Sequence, residues 1–291
     1  MNAMKWIVFG GRGWIGEQFV EVLRARGDDI IIPTVRADDE TGVDALLETE
    51  RPDRVVSLIG RTHGPGFSTI DYLEQPGKLV DNVRDNLYAP CILANACATR
   101  GIHYTYLGTG CIFSYDDDAT AFTEDAAPNF FGSSYSVVKG FTDRMMHRLY
   151  PDALNVRIRM PITADRHPRN FITKITSYAK VCSVANSMTV LPELVPIMVD
   201  MAAKKMSGTV NLTNPGTISH NEILEMYTEI VDPSFTWSNF SDAEQRRVLA
   251  AARSNNCLDT TVVQRLYPGV NPIREAVRDV LVSMRNAPSS A

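Results

Sequence analysis

The chain has 291 residues, 44% hydrophobic and 22% charged, and carries a net charge of −5. That is ordinary globular composition with length for a large core, and the mildly acidic balance gives no support to nucleic-acid binding, which needs a basic face. No apolar run approaches the roughly 20 residues that span a bilayer. Met1 to Lys5 lacks the regions of a signal peptide. The five cysteines are scattered, without zinc or CxxC spacing, so no metal is expected and a reducing, cytoplasmic compartment is.

The first half alternates short apolar runs with helical patterns. Trp6 to Phe9 reads as a strand ending in glycines, and Trp14 to Arg26 as a helix with Ile15, Phe19, Val22 and Leu23 at helical spacing. Asp29 to Pro33 is a second strand, Val43 to Glu50 a short helix and Val55 to Ile59 a third strand. A polar stretch from Gly60 to Gly77 follows. Helical spacing resumes from Leu79 to about Ala98, where Pro90 is expected to kink or split the helix. His103 to Leu107 is a strand, Tyr135 to Leu149 a helix and Leu154 to Met160 a strand. This β-α-β-α order with buried-type strands predicts an α/β fold, a Rossmann-type, doubly wound parallel sheet.

Beyond Met160 the pattern predicts a loop to Asn170, helices over Phe171 to Ala179 and Leu194 to Lys205, and a strand over Thr209 to Leu212. Ser219 with Glu222 is a capping box that opens another helix. The rest reads as mainly helical, with a frayed tail from Asn286 to Ala291. The expected organisation is a dinucleotide-binding domain over 1–160, with returning segments near 187–214, and a smaller, mainly helical substrate lobe over 161–291, chiefly 161–186 and 215–285. Ligands of such sheets bind beyond the strand carboxyl ends, and this lobe is placed to close over that edge.

Gly10, Gly13 and Gly16 make a GxxGxxG spacing between the first strand and the first helix. Glycine permits the tight turn and lets backbone approach a pyrophosphate at a helix N-terminus. Arg12 in this loop and Arg36 after the second strand favour a 2′-phosphate and hence NADP(H); Asp38 and Asp39 keep NAD(H) open. Tyr135 and Lys139 form a YxxxK pair on one helix face. A lysine cation beside a tyrosine is expected to lower the phenol pKa toward working pH, so that it exchanges a proton with a carbonyl oxygen. Thr109, at a strand carboxyl end, offers a hydroxyl to the same oxygen. Cys111, two residues on, is where a thiolate would abstract a proton acidified by a neighbouring ketone; standing alone it would read as a small buried hydrophobe.

The glycine loop, Thr109, Tyr135 and Lys139 in this order resemble the extended short-chain dehydrogenase/reductase family. A closer resemblance rests on longer blocks: Thr109-Gly110-Cys111-Ile112-Phe113, Pro128-Asn129-Phe130, Arg159-Met160-Pro161-Ile162, Pro168 to Ile175, Asn186-Ser187-Met188-Thr189, Phe235-Thr236-Trp237 and Arg253-Ser254-Asn255-Asn256. These are similar to the bifunctional nucleotide-rhamnose synthases, the 3,5-epimerase/4-reductases that also form the C-terminal part of plant rhamnose synthases. The resemblance implies conversion of a UDP- or dTDP-linked 4-keto-6-deoxyglucose to the L-rhamnose nucleotide with NAD(P)H. It implies Cys111 as base and Lys174 as opposing acid for epimerisation, with Thr109, Tyr135 and Lys139 for reduction. The cofactor is expected on Gly10, Arg12, Gly13, Trp14, Ile15, Gly16, Arg36, Tyr135, Lys139 and Pro161. The nucleotide and sugar are expected on Asn86, Asn129, Arg169, Asn170, Arg253, Asn255 and Asn256. A homodimer is a family expectation, and the upstream 4,6-dehydratase must be another protein. The chain departs from the family at Ser57-Leu58-Ile59-Gly60-Arg61 and in the Arg61 to Ile70 loop, which is longer. The alternatives are a 4-reductase with an inert Cys111 and a non-catalytic dinucleotide-binding subunit. A 4,6-dehydratase would want an acid directly after Thr109, where Gly110 stands.

Overall fold

The computed structural model describes residues 3–115, 120–240, 244 and 252–287. Its strands are β1 (Lys5–Phe9), β2 (Asp29–Ile31), β3 (Arg54–Ser57), β4 (His103–Thr109), β5 (Leu154–Ile158), β6 (Pro161–Ile162), β7 (Thr189–Val190) and β8 (Gly208–Asn211). Six of them form one sheet in the order β2-β1-β3-β4-β5-β8, every pairing parallel. Strand order reverses between β1 and β3, so the carboxyl ends of these two strands flank the crevice where ligands of such sheets bind.

Helices cover both faces because the central strands are apolar on both sides. On one face α1 (Trp14–Arg26) and α7 (Leu191–Ala203) bury Phe19, Leu23, Leu194 and Met198 against Trp6, Val8 and Val156. On the other, α2 (Glu40–Glu50), α4 (Ala89–Ala98) and α5 (Ser134–Leu149) enclose Ile7, Val55, Leu93, Tyr104 and Tyr106. A buried ion pair sets α5 on the sheet. Arg157 Nη2 of β5 lies 2.7 Å from Asp143 Oδ2, and Asn155 Nδ2 donates to Asp143 Oδ1 at 2.8 Å. A separate core joins α6 (Phe171–Ser177), α8 (His220–Ile230) and the last helix, Ile273–Asn286, around Ile172, Ile175, Ile223 and Val277.

The first helix has the bounds the sequence predicts, and the capping box forms in full, with Glu222 N–H on Ser219 Oγ at 3.2 Å and Ser219 N–H on Glu222 Oε2 at 2.9 Å. Elsewhere the structure differs. The helix expected over 79–98 is three pieces, namely α3 (Lys78–Val83), a π turn (Arg84–Tyr88) and α4. Pro90 has no N–H for the Asn86 carbonyl one turn back. The chain changes register ahead of it, with Ala89 N–H bonding the Arg84 carbonyl, and the Thr142 hydroxyl donates to the freed Asn86 carbonyl at 2.7 Å. The strand expected over 154–160 stops at Ile158, and Met160 turns through φ +38°. The two-residue pair β6·β7, which carries Pro161, was not expected. After α8 the described chain is irregular to Thr260 apart from the lone Glu244. In the expected frayed tail, residues 288–291 lie outside the described residues. No helix is long and apolar enough to cross a membrane, and no group of metal-ligating side chains occurs, among the described residues. No disulfide joins any of the five cysteines.

Candidate active site

The carboxyl ends of β1, β3, β4 and β5 open into a cavity of about 350 Å3. Its floor is the glycine turn. Gly10 has φ +81°, a left-handed conformation natural to glycine, and a Cβ on Gly16 would collide with the Gly10 carbonyl oxygen. Gly13 is the N-cap of α1 and no side chain caps the helix, so the N–H groups of its first turn face the cavity that Gly13, Trp14, Ile15 and Gly16 line. An uncapped helix start behind a glycine turn fits the pyrophosphate of a dinucleotide. Trp14 ties this turn to the second core: its Nε1 donates to Asp165 at 3.1 Å and its ring stacks on His167, with centroids 5.3 Å apart.

Thr109, Cys111, Tyr135, Lys139, Lys174, Arg169, Arg253 and Pro161 line the same cavity, so groups separated by up to 144 positions meet there. Cys111 N–H donates to Thr109 Oγ1 at 3.1 Å, which leaves the threonine proton for another oxygen. The Tyr135 phenol is buried. Burial and the neighbouring Cys111 push its pKa up, while a hydrogen bond with Thr109 pulls it down, and the net direction is up. The expectation of a lowered phenol therefore fails. Lys139 does not point its charge at Tyr135; its Nζ donates to the Tyr106 hydroxyl and to the Leu107 carbonyl at 3.3 Å. Burial lowers Lys139 to about 7, against the opposing pull of Asp143 and Cys111. Across the cavity, burial and then the cations Arg169 and Arg253 lower Lys174, which makes it a readier proton donor.

Other expected site residues lie outside the cavity lining. Asn170 caps α6: its Oδ1 accepts from Thr163 and Ile172 N–H, and its Nδ2 donates to the Thr163 and Asp165 carbonyls. Asn86 holds Arg61 by both N–H and carbonyl, at 3.1 and 3.0 Å. Asn129 clamps the Ser114 backbone twice. Asn256 donates to the Gly110 and Phe113 carbonyls, both at 2.9 Å, and Asn255 accepts from Asn186. These amides hold the backbone and side chains around the cavity, and Asn256 Oδ1 is buried without a partner. Arg12 reaches the Ile32 and Pro33 carbonyls, and Arg36 pairs with Asp38 at 2.8 Å on the exposed rim beyond β2. Arg253, which does line the cavity, pairs with Asp71 at 2.6 Å.

Among the lining residues not singled out from sequence are Arg159, Tyr178 and His63. Arg159 is fully buried, and its guanidinium bonds Gly110 O, Asn186 Oδ1, Ser187 O and Ser254, all uncharged acceptors. Tyr178 lies beside Lys174, after α6, and His63 lies in the long loop after β3. Arg159 stands inside a quoted block, which was its only signal.

A model of the NAD dependent epimerase/dehydratase family matches residues 6–181. The chain is 54% identical over 286 residues to L780 of Acanthamoeba polyphaga mimivirus, covering 97% of this chain and 99% of that protein. The crystal structure of L780, described as a UDP-rhamnose synthase, matches with a TM-score of 0.95 over 97% of this chain and 100% of that one. A bifunctional dTDP-4-dehydrorhamnose 3,5-epimerase/dTDP-4-dehydrorhamnose reductase of Arabidopsis thaliana is 38% identical over 282 residues, 95% of this chain and 92% of that protein. A dTDP-4-dehydrorhamnose reductase of Bacillus anthracis in complex with NADP shares the fold, with a TM-score of 0.79 at 18% identity over 97% of this chain and 99% of that one. The glycine turn, the parallel sheet and near full-length identity to an epimerase/reductase converge, and the chain belongs to the NAD-dependent epimerase/dehydratase family.

Proposed function

We propose that this protein is a bifunctional 3,5-epimerase/4-reductase that converts a UDP- or dTDP-linked 4-keto-6-deoxy-D-glucose to the corresponding β-L-rhamnose nucleotide with NADP(H), NAD(H) being the alternative. The observation that carries the reading is the meeting of Cys111 and Lys174 with Thr109, Tyr135 and Lys139 around one cavity. A plain reductase needs only the last three. The relatives described as a UDP-rhamnose synthase and as a bifunctional epimerase/reductase support it. The cofactor belongs on the glycine turn of the 1–160 portion and the sugar nucleotide against the 161–291 lobe. When bound on that turn, the reduced cofactor would supply a hydride to C4.

The residues then divide the work. Cys111 Sγ, as thiolate, takes the proton from C5 or C3 next to the ketone. The C–H electron pair moves to the C4 oxygen, where the Thr109 hydroxyl and the Tyr135 phenol hold the developing enolate. Lys174 Nζ delivers a proton to the opposite face of the same carbon, which inverts it. For the reduction, a phenol held protonated by burial suits Tyr135 to the acid's role, and it protonates the new C4 alkoxide. Arg169 and Arg253 suit the nucleotide diphosphate. Cysteines without disulfides suit a reducing cytoplasm, and an upstream 4,6-dehydratase supplies the substrate.

The test is turnover of UDP-4-keto-6-deoxyglucose with NADPH in deuterated water, followed by nicotinamide absorbance and by proton NMR of the product. Deuterium at both C3 and C5 of a rhamnose product is expected. Cys111→Ala is expected to cut exchange by about 10²- to 10⁴-fold while preformed 4-keto-L-rhamnose nucleotide is still reduced. NADPH loss without deuterium would leave a simple reductase.

A further inference from the structure

His63 is the one imidazole ring lining the cavity among the described residues. It sits in the loop after β3 whose sequence departs from the family pattern, and the loop is fixed on both sides of it. Asn86 grips the Arg61 backbone at its N–H and its carbonyl. Gly64 and Phe67 exchange backbone hydrogen bonds of 3.1 and 3.0 Å, and Gly64 packs so closely on the Tyr72 ring that a Cβ there would collide with it.

One ring nitrogen is already engaged. His63 Nε2 lies 2.6 Å from Arg169 Nη2. A guanidinium has only hydrogens to give, so Nε2 accepts and carries no proton. Burial first, then the cations Arg169, Arg61 and Lys174, hold the imidazole pKa below its usual value. The ring is therefore neutral, with its hydrogen on Nδ1, and Nδ1 is buried without a partner. A buried N–H with nothing to bond is costly, and the cost is relieved when a ligand brings an acceptor.

The charged groups around this ring are all donors too. Arg169, Lys174 and Arg253 line the cavity with His63, and Arg253 is held by Asp71. Such a wall suits an oxygen-rich, acceptor-bearing molecule.

We propose that His63 is a substrate-binding residue whose Nδ1–H donates to an acceptor oxygen of the bound sugar nucleotide, with Arg169 fixing the tautomer that makes it a donor. This rests on the sugar-nucleotide reading given under Proposed function. The oxygen belongs either to the diphosphate or to the sugar ring substituents.

Two isosteric substitutions separate the ring nitrogens. In His63→Asn the amide NH2 stands where Nδ1 stood, and the Arg169 partner is lost. In His63→Gln the side chain reaches Arg169, and the Nδ1 donor is lost. Affinities for UDP and for UDP-β-L-rhamnose are measured by titration calorimetry with saturating NADP+, after thermal unfolding shows that both variants fold. His63→Gln is expected to bind UDP-rhamnose about tenfold more weakly than wild type, and His63→Asn to stay within about threefold. A loss seen with both ligands places the oxygen on the diphosphate, and a loss seen with UDP-rhamnose alone places it on the sugar. Wild-type affinity in both variants, or a loss in Asn equal to or larger than that in Gln, overturns the inference and leaves His63 as a support for Arg169. If wild-type protein binds neither ligand, the sugar-nucleotide reading itself fails and takes this one with it.

Discussion

Lys139 shows how one buried side chain can couple ligand binding to protons. Among the described residues its ammonium has no carboxylate in direct contact; the Tyr106 hydroxyl and the Leu107 carbonyl receive its hydrogens, and burial lowers its pKa to about 7. The unfolded chain keeps the ordinary value of 10.5. Between the two, the unfolded state holds a proton that the native state has released, so the contribution of Lys139 to stability grows as pH rises through that window and is at its worst below it. NADPH brings only negative charge and favours the ammonium again. Binding of NADPH at about pH 8 is therefore expected to take up a proton, read as a calorimetric enthalpy that varies with the ionisation enthalpy of the buffer. In Lys139→Met that variation should largely vanish. Uptake unchanged in the variant would assign the proton to another group, with Lys174 the next to examine.

At the scale of elements, the π turn Arg84–Tyr88 shows how a helix break is put to use. Once Pro90 has left the Asn86 carbonyl without a donor, the Thr142 hydroxyl of α5 supplies one, and the Asn86 side chain swings to the cavity loop and holds Arg61. Thr142→Val keeps the shape and deletes the donor. It is expected to destabilise the protein by about 1–3 kcal/mol, measured by denaturant unfolding, and, on the proposed reading, to weaken the sugar nucleotide more than the cofactor, because the π turn holds the cavity loop at Arg61. Pro90 announced a break in the sequence. The register shift could not be read there, since it depends on Thr142, more than fifty positions away. The same contrast runs through the chain. Trp14–Arg26 and the Ser219 cap were legible because apolar period and capping chemistry are local signals. Two-residue strands such as β6 and β7 carry no period. Tyr135, Lys139 and Thr109 were legible as a constellation, and Cys111 and Lys174 through longer blocks. Asn86, Asn129, Asn170 and Asn256 read as ligand contacts because an amide serves a ligand and a backbone equally well, and only the fold shows which it serves. His63 lay in a loop with neither period nor motif, and Arg159 looked like the end of a strand.

At the scale of the whole molecule, the question is what covers the outer face of α3 and α5, which pack side by side. Leu79, Val80 and Val83 on α3, Tyr88 in the π turn, and Phe141 and Leu149 on α5 are all exposed, Val80 to 70% and Phe141 to 61%. Large apolar side chains gathered on adjoining elements mark an interaction surface. We take the second copy as its occupant, in keeping with the homodimer expected from the family, because a two-fold axis pairs such a face with itself. Each contact is then made twice. Burial of a side chain of this size is worth about 1.5–3 kcal/mol, so the pair Val80→Glu and Phe141→Glu should weaken dimerisation by at least about a hundredfold and set two like charges against their symmetry mates. Sedimentation velocity is expected to show wild type as a dimer and the double variant as a monomer with unchanged circular dichroism. None of these six exposed side chains lines the cavity, so the monomer should keep its affinity for NADPH. A wild-type protein that sediments as a monomer at the highest concentration tested would remove the second copy from this face.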